Sequence, residues 1–266
     1  MSGGIHPTAI VHSSARVGEG VEIGPFSIIG PDVVLGEGTK ISSHVRVVGR
    51  TEIGDNSEIF ASACIGEAPQ DSSYDGEPST VIVGSNCIIR EHVTIHRGTR
   101  SGRMRTEVGD HCFMMVGSHV AHDCVVGHHV TMVNGATIGG HVEIGDYVTL
   151  GGLAAVQQRL RVGAYAFIGG LTGVNAEVIP FATAVGDRAE LGGLNIVGLK
   201  RQGFDRPTIH ALRASYREIF FGRGTVDERV ERAAERFADM EPAMMIIDFV
   251  RNGGNRPLCT PRDVEI

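Results

Sequence analysis

Aliphatic or Met side chains recur at every sixth position over most of the first two thirds of the chain. The repeat comprises three unbroken runs, from Ile5 to Ile65, from Val83 to Ile95 and from Val108 to Val174. A period of six matches neither the 3.6-residue period of an amphipathic helix nor the alternation of a half-buried strand. It is typical of a coil in which short strands alternate with corners, stacked turn on turn.

A second position of the repeat, four residues after each repeated residue, carries a small or medium side chain. Leu160 is the one larger exception. Three of the five cysteines, Cys87, Cys112 and Cys124, stand at this position. We expect them to be reduced packing residues, since the sequence has no C-x-x-C pair or similar metal-ligand spacing.

Glycine is the third recurrent feature. The chain has 37 glycines, which is twice the usual share of about 7 %. Many directly follow a repeated apolar residue, where we expect a corner to need the backbone freedom of glycine. These are Gly18, Gly24, Gly30, Gly36, Gly54, Gly127 and Gly145.

The repeat predicts a mainly β domain over residues 1–186. Each hexad supplies a short strand and a corner, three hexads close one triangular turn, and about nine turns stack with strands about 4.8 Å apart. Two polar segments, residues 66–82 and residues 97–107, interrupt the period and are predicted to leave the stack as loops. Loops on a rigid scaffold commonly carry function, although tolerated surface insertions are the alternative for both.

The six-residue period ends near residue 187, and residues 187–266 are predicted to form a small α-helical domain. Its longest helix covers residues 206–221, with Asp205 as N-cap and an apolar stripe on one face. Thr225 is predicted to cap the next helix. Further helices are expected around Asn195–Lys200 and over Ala243–Val250, the latter ending before Asn252-Gly253-Gly254, and the last dozen residues read as an irregular tail.

The net charge of −7 is unevenly distributed. Residues 1–199 carry 12 Lys/Arg and 20 Asp/Glu, whereas residues 200–266 carry 12 and 11. The acidic balance argues against general nucleic-acid binding, while the relatively basic end suits an acidic partner. The chain starts without the basic and apolar regions of a signal peptide, and no apolar run approaches the roughly 18 residues of a membrane span. We therefore expect a cytoplasmic protein that is not an integral membrane protein.

Two histidines are predicted to meet on one edge of the stack. His122 stands two residues after a repeated residue, and His141 follows nineteen residues later. Because one turn takes about 18 residues, both lie at corners of neighbouring turns. Asp123 is placed to fix the tautomer of the His122 imidazole, as a general base requires, and the backbone N–H of Gly140 is placed to face a developing oxyanion. The alternative is that these are solvated or structural corner histidines.

Five motifs stand in order along the chain. They are IGE-x-x-QD from Ile65, Y-x-GEP from Tyr74, IRE-x-VTIHRGT from Ile89, AHDC from Ala121 and NI-x-GLKR-x-GF from Asn195. With the hexapeptide pattern they resemble the UDP-N-acetylglucosamine O-acyltransferases, which fold as left-handed parallel β-helices. The likeness covers nearly the whole chain, including the helical end. The left hand is implied by this resemblance alone, since general crossover rules favour the right.

The resemblance implies a homotrimer with active sites in the clefts between neighbouring prisms. It implies that an acyl carrier protein delivers a 3-hydroxyacyl thioester to a UDP-sugar nucleotide in the first step of lipid A synthesis, without a cofactor. His122 matches the general base, Asp123 its orienting partner and Gly140 the oxyanion donor. Gly170 matches the position that limits acyl-chain length, and its lack of a side chain implies a long groove. Positions that match substrate-binding residues are Gln70, Asp71, His119, His141, Gln157, Gln158, Asn195 and Arg201.

Two positions depart from the family pattern. Many members have His where this chain has Gln157 and Lys where it has Ser73. Both positions are expected near the sugar nucleotide, so one hypothesis is a 3-amino sugar acceptor and an amide product.

Other functions remain as alternatives at this point. One is a related hexapeptide acyltransferase, acting later in the pathway or using coenzyme A, and another is a non-enzymatic scaffold. A metal site is disfavoured, because the zinc-dependent β-helix carbonic anhydrases pair histidines five residues apart whereas His119 and His122 are three apart. Covalent catalysis is not indicated, since the sequence has neither a G-x-S-x-G elbow nor a P-loop.

Overall fold

The computed structural model describes residues 4–253 and 256–262. Gly254, in the predicted stop of the last helix, lies outside the described residues, as do the chain ends at residues 1–3 and 263–266. The described residues form a stack of short strands followed by helices. The left-handed parallel β-helix with a small helical domain at its end is thereby confirmed.

The strands are mostly two residues long, and each strand from β1 to β25 carries one repeated residue at its inner position. In chain order they are β1 (Ile10–Val11), β2 (Arg16–Val17), β3 (Glu22–Ile23), β4 (Ile28–Ile29), β5 (Val34–Leu35), β6 (Lys40–Ile41), β7 (Arg46–Val47), β8 (Arg50–Ile53), β9 (Glu58–Ile59), β10 (Cys64–Glu67), β11 (Thr80–Val83), β12 (Ile88–Ile89), β13 (Thr94–His96), β14 (Arg105–Val108), β15 (Phe113–Met114), β16 (His119–Val120), β17 (Val125–Val126), β18 (Thr131–Met132), β19 (Thr137–Ile138), β20 (Glu143–Ile144), β21 (Thr149–Leu150), β22 (Ala155–Val156), β23 (Arg161–Val162), β24 (Phe167–Ile168), β25 (Gly173–Val174), β26 (Ala182–Val185) and β27 (Glu190–Leu194).

Successive strands belong to three different faces of a triangular prism. Each strand from β1 to β22 pairs in parallel with the strand three places later, so that β1, β4 and β7 begin one face, β2, β5 and β8 the second, and β3, β6 and β9 the third. In the upper part of the stack, paired residues are 18 positions apart, as in Thr131, Thr149 and Phe167. One turn therefore takes three hexads, as predicted.

The repeated side chains form the core of the prism. From Ile23 onward they are at most a few per cent exposed, and the small residues at the second position are buried beside them, including Cys87, Cys112 and Cys124. Full burial of such an aliphatic side chain contributes about 1.5–3 kcal/mol. Ile5, in the first turn, is half exposed because no coil of the described residues lies below it.

The glycines that follow repeated residues are required for close packing, and our expectation that they supply backbone freedom was wrong. Left-handed backbone occurs two residues later, for example at Phe26 (φ 59°) and Asp32 (φ 59°). Gly24 itself lies so close to the next coil that a Cβ would sit 2.6 Å from the carbonyl carbon of Ser42. A side chain at this position would push neighbouring coils apart.

Two loops leave the prism, and the coils keep their register apart from a local irregularity between Ile65 and Glu67, where the first loop begins. Cys64 pairs with Thr94 and Thr94 with His119, so these turns contain 30 and 25 residues but stack like the others. Both loops are shorter than predicted, because β10 and β11 extend into residues 66–82 and β14 extends into residues 97–107. We call residues 68–79 the first loop and residues 97–104 the second loop.

The top of the prism continues beyond the predicted boundary at residue 186. β27 pairs antiparallel with β26 and extends the third face. The helices follow as α1 (Ile196–Arg201), α2 (Arg206–Phe221), α3 (Val226–Arg236) and α4 (Glu241–Arg251). Asp205 caps α2 and Thr225 caps α3, as predicted, and α4 is slightly longer than the predicted segment. No helix in the described part of the chain combines the length and apolarity needed to cross a membrane.

Aromatic rings stack along one edge of the prism and reach the helical unit. We call this column the aromatic ladder; its rings are nearly parallel, with centroids 4.6–5.3 Å apart, and belong to His111, His129, Tyr147, Tyr165 and Phe181. Phe204, just before α2, packs edge-on against Tyr165 and Phe181. Stacked aromatic pairs contribute about 0.5–1.5 kcal/mol beyond their buried area.

A buried ion pair is the second link between prism and helices. Glu177, which is almost completely buried, accepts hydrogen bonds from Arg161 at 2.7 Å and Arg256 at 3.3 Å. Arg161 also donates to the carbonyl of Phe249 in α4 and stacks on its ring. The helical unit is thus fixed to the upper coils of the prism.

Candidate active site

His122 and His141 lie on the same edge of the prism, on neighbouring coils. The backbone N–H of His141 donates to the carbonyl of His122 at 2.9 Å. Their rings meet edge to face, with centroids 5.0 Å apart. The strands β16 and β19, which precede them, are paired in register, so the corners that follow are stacked directly. We call this the catalytic edge.

Asp123 holds the imidazole of His122 in one orientation. Its Oδ2 lies 2.9 Å from Nδ1 of His122, and the His122 side chain is 12 % exposed whereas that of Asp123 is fully buried. A carboxylate at Nδ1 favours the tautomer that carries its proton there. Nε2 of His122, which has no hydrogen-bond partner among the described residues, is then left as a base.

The second loop surrounds the Asp123 carboxylate with donors. Thr99 donates from its hydroxyl to Oδ2 at 2.6 Å and from its backbone N–H, shared between both oxygens, at 3.1 Å. The backbone N–H of Arg103 donates to Oδ1 at 2.8 Å. Burial alone would raise the pKa of the Asp123 carboxyl, but the hydrogen bonds from Thr99, His122 and Arg103 hold it below its ordinary value. Asp123 is therefore a carboxylate at neutral pH.

Gly140 makes room for the imidazole. A Cβ at this position would lie 2.5 Å from Cε1 and 2.6 Å from Nε2 of His122. The backbone N–H of Gly140 donates to no acceptor within the described residues. An open amide beside Nε2 is the arrangement that a base and an oxyanion donor acting on one carbonyl need.

Further histidines on this face are kept neutral. Burial and the neighbouring Arg159 lower the pKa of His141, although Asp123 partly opposes this. Burial lowers the pKa of His119, whose Nδ1 lies 2.7 Å from the hydroxyl of Thr94. His96, which packs edge-on against His119, has its pKa lowered to about 4, mainly by burial. Sequence reasoning missed His96; the one signal was a large side chain directly after a repeated residue, where the adjacent coils of the same face have Gly66 and Ala121.

The first loop brings Asp71 towards the catalytic edge. Asp71 accepts hydrogen bonds from the backbone N–H and the hydroxyl of Ser73 at 2.8 and 2.7 Å. These bonds lower the pKa of Asp71, with smaller contributions from His122 and His141. Gln70 is exposed on the same loop, and Gln157 and Gln158 are exposed at the corner of the coil that follows Gly140 and His141.

The remaining predicted site residues lie elsewhere in the same chain. Asn195 caps α1 by accepting from the N–H of Gly198 and donates to the carbonyl of Tyr165 in the aromatic ladder. Arg201 lines a cavity of about 580 Å³ beside Tyr147 and Tyr165. Gly170 lies at a corner that follows the third face, where a Cβ would be 3.3 Å from the carbonyl of Gly152. One chain alone does not bring these residues to His122.

The catalytic edge has three groups that are able to ligate a metal. His122, Asp123 and His141 offer ligand atoms within 4.8 Å of one another. However, both oxygens of Asp123 already accept hydrogen bonds from the second loop, so its carboxylate is committed to protein donors. The donor set fits an orienting carboxylate better than a metal ligand.

Comparisons with known proteins agree over the whole chain. Residues 14–49 match a family profile described as bacterial transferase hexapeptide repeats, and residues 177–259 match the second domain of UDP-N-acetylglucosamine O-acyltransferase. The chain is 52 % identical to the acyl-[acyl-carrier-protein]–UDP-N-acetylglucosamine O-acyltransferases of Azorhizobium caulinodans and Caulobacter vibrioides. Each match covers 97 % of this chain, with 95 % and 98 % of the respective relative.

Solved structures give the same result. The structure of LpxA from Acinetobacter baumannii superposes with a TM-score of 0.92 at 39 % identity, over 96 % of this chain and 99 % of that one. UDP-N-acetylglucosamine acyltransferase from Francisella novicida superposes with a TM-score of 0.94 at 33 % identity, over 98 % and 95 %. The predicted resemblance is confirmed, and the scaffold alternative is excluded. The chain is an acyltransferase that belongs to the acyl-[acyl-carrier-protein]–UDP-N-acetylglucosamine O-acyltransferase family.

Proposed function

We propose that this protein transfers a 3-hydroxyacyl chain from acyl carrier protein to the 3-hydroxyl of UDP-N-acetylglucosamine, the first step of lipid A synthesis. The observation that carries the proposal is the imidazole of His122, held by Asp123 at one nitrogen and beside the open amide of Gly140 at the other. The names of the relatives supply the donor and the acceptor. The chemistry then follows from this geometry.

The sugar hydroxyl is a weak nucleophile at neutral pH, so its proton must leave as it attacks. Nε2 of His122 takes this proton while the sugar oxygen bonds to the thioester carbonyl carbon. The N–H of Gly140 donates to the oxyanion that forms on the carbonyl oxygen, and Asp123 stabilises the imidazolium. Collapse of this intermediate breaks the carbon–sulfur bond. The departing thiolate takes the proton back from His122, which leaves the ester, the free carrier thiol and the neutral base.

We propose that the active protein is a cytoplasmic homotrimer with a site between each pair of protomers. The argument is that Asn195, Arg201 and Gly170 lie away from the catalytic edge of their own chain. A site that uses them together with His122 must take them from a neighbouring protomer. The relatively basic end of the chain, residues 200–266, suits an acidic carrier protein that approaches this site.

The proposal requires that His122→Ala loses turnover. General-base catalysis typically contributes about 10²–10⁴-fold, so kcat should fall by that order, while binding of acyl carrier protein is largely retained. The measurement is steady-state transfer from 3-hydroxyacyl carrier protein to UDP-N-acetylglucosamine, with donor binding measured separately. A coenzyme A thioester serves as the comparison donor. Near-normal rates in His122→Ala would refute the assignment of the base.

A second acceptor is supported by the departures at Gln157 and Ser73. Ser73 donates a hydrogen bond to Asp71. Ser73 and Gln157, which are both expected at the sugar end of the site, carry no charge. A 3-amino UDP-sugar, acylated to an amide, is therefore a second candidate acceptor. Product mass spectrometry with both UDP-sugars and a panel of acyl chain lengths decides between them and gives the chain length. A clear preference for the 3-hydroxyl sugar removes this candidate.

We further propose that the reaction uses neither a metal nor another cofactor. The carboxylate of Asp123 accepts hydrogen bonds at both oxygens from the second loop, and the reaction needs only a base, an oxyanion donor and the two substrates. Full activity after dialysis against a chelator would support this. Activity that is lost on chelation and restored by a divalent ion would instead favour a metal on His122, Asp123 and His141.

A further inference from the structure

The backbone of the second loop packs around the Asp123 carboxylate instead of extending into solvent. Two glycines allow the approach: a Cβ on Gly98 would lie 2.7 Å from Oδ1 of Asp123, and a Cβ on Gly102 would overlap with the carboxylate carbon. Thr99 is the loop's only buried residue that donates to the carboxylate through its side chain, among the residues described. The loop therefore serves the residue that orients the base.

We propose that Thr99 is a positioning residue, whose hydroxyl sets the rotation of the Asp123 carboxylate and thereby the direction of the His122 imidazole. The inference rests on the proposed function of His122. The hydroxyl of Thr99 and Nδ1 of His122 both donate to the same oxygen, Oδ2, at 2.6 and 2.9 Å. The Thr99 hydroxyl therefore fixes the position of Oδ2, the oxygen that accepts the hydrogen bond from Nδ1 of His122.

The other contacts leave this degree of freedom open. The N–H of Thr99 is shared evenly between the two oxygens at 3.1 Å, so it does not select one rotation. The N–H of Arg103 holds Oδ1 from one side only. Without the Thr99 hydroxyl, the main hydrogen bond to Oδ2 comes from His122, which is the residue that this oxygen should orient. A base that is free to swing spends less time aimed at the sugar hydroxyl, so the rate falls while substrates still bind.

Glu77 extends the same network to the sugar end of the site. This buried carboxylate accepts the N–H of Arg100 at Oε1, 2.7 Å away, and the N–H of Asp75 at Oε2, 3.0 Å away. It thereby joins the second loop to the first loop, which carries Gln70 and Asp71. We infer that Glu77 positions the first loop, so that its loss weakens sugar-nucleotide binding more than turnover.

The kinetic test compares Thr99→Val with Thr99→Ser and Glu77→Gln. Valine keeps the shape of threonine but removes the donor, so kcat should fall about tenfold with both KM values unchanged. Serine keeps the donor and should restore kcat. In the Glu77→Gln variant the NH2 group of the amide would face one of the two backbone N–H donors and could not accept its hydrogen bond. The first loop would then be held less firmly, so KM for the UDP-sugar should rise. Thr39→Val is the matched control, because Thr39 occupies the same position of its hexad, is equally buried and donates to a backbone carbonyl at 3.1 Å far from the site.

Equal losses of kcat in Thr99→Val and Thr39→Val would overturn the inference, as would parental kcat in Thr99→Val. Hydrogen exchange of the peptide covering residues 97–104 gives a second readout that needs no activity. Exchange there should be faster in Thr99→Val than in the parent and unchanged in Thr39→Val. If the parent transfers no acyl group, the proposed function fails. If exchange is also unchanged in Thr99→Val, the positioning role of Thr99 fails separately.

Discussion

Each residue of the catalytic edge occupies a fixed place in its hexad. His122 and Gly140 stand two residues after a repeated residue, and Asp123 and His141 stand three after it, with φ of 60° and 61°. Asp, Asn and His tolerate this left-handed conformation better than most residues. The repeat thus puts polar side chains at its corners at little conformational cost, and one coil supplies the proposed base while the next supplies the open amide.

Gly140→Ala should damage activity without removing any polar group. The new Cβ would lie 2.5 Å from the His122 ring, so the imidazole must turn away from its working position. A displacement of about 1 Å at a catalytic group costs on the order of 10²-fold in rate. Gly152→Ala is the control, since Gly152 has the same place in its hexad and the nearest atom to its Cβ is 3.6 Å away. Equal rates for the two variants would show that the imidazole tolerates the methyl group.

His96 should make folding stability depend on pH below neutrality. Its pKa falls from 6.5 to about 4 because the ring is buried, so the folded state resists protonation more than the unfolded state does. The stabilisation that comes from burying the neutral His96 ring is fully present above pH 6.5 and is lost as the pH falls towards 4. His96→Gln should therefore show a smaller drop in Tm than the parent when the pH is lowered from neutrality to about 5. The exposed His12→Gln serves as a control, and an unchanged drop in His96→Gln would contradict the assignment.

At the scale of elements, the strands and helices could be predicted because each has a period and a boundary. The hexad placed an inward residue in every strand from β1 to β25, and Asp205 and Thr225 gave correct starts for α2 and α3. The corner glycines were located correctly but explained wrongly, since the distance between coils is a property of the stack. The distance between neighbouring coils cannot be derived from the sequence of one turn considered by itself.

The loops were predicted from the sequence, but their conformation and contacts were not. Residues 68–79 and 97–104 have no period, so nothing indicated that the second loop closes over Asp123. Thr99 was visible as a small residue at the second position of its hexad, although its partner was not. The spacing of the corner residues and the resemblance to a family both pointed to His122, Asp123 and Gly140. Their hydrogen-bond supports come only from the folded chain, because Thr99 and Asp123 are 24 residues apart.

The capping box of α3 should contribute measurably to stability. Thr225 accepts the N–H of Glu228 through its hydroxyl, and the Glu228 carboxylate accepts the N–H of Thr225 at 2.9 Å. Thr225→Ala leaves an unpaired donor at the helix start and should lower the free energy of unfolding by about 1 kcal/mol. Glu235→Ala, at an exposed position in the same helix, should change it little. Denaturant unfolding of both variants is the measurement, and equal changes would argue against the cap.

At the scale of the whole molecule, the prism separates residues that one site is proposed to use. His122 lies on the catalytic edge, whereas Arg201 lies beside the aromatic ladder on a different edge. The coils stack in strict register, so no bending of one prism brings these edges together. Assembly of several prisms side by side is the remaining way to combine them, so the proposed site requires oligomerisation for activity.

Mixed trimers test this arrangement directly. His122→Ala and Arg201→Ala should each have low activity alone. After dissociation and joint reassembly, some clefts would combine an intact His122 from one variant with an intact Arg201 from the other, so activity should reappear. The His122→Ala protein reassembled with itself under the same conditions is the control. A mixture that stays as inactive as its components would place both residues in the same protomer's site.

The aromatic ladder also gives the molecule an internal optical signal. The chain has no Trp and four Tyr, and two of these, Tyr147 and Tyr165, are consecutive rings of the column that Phe204 closes. The part of the tyrosine emission that comes from these two rings therefore reports on the junction between the coils and the helical unit without any attached dye. Detachment of the helices ahead of the coils during heating would become visible as a separate change in fluorescence.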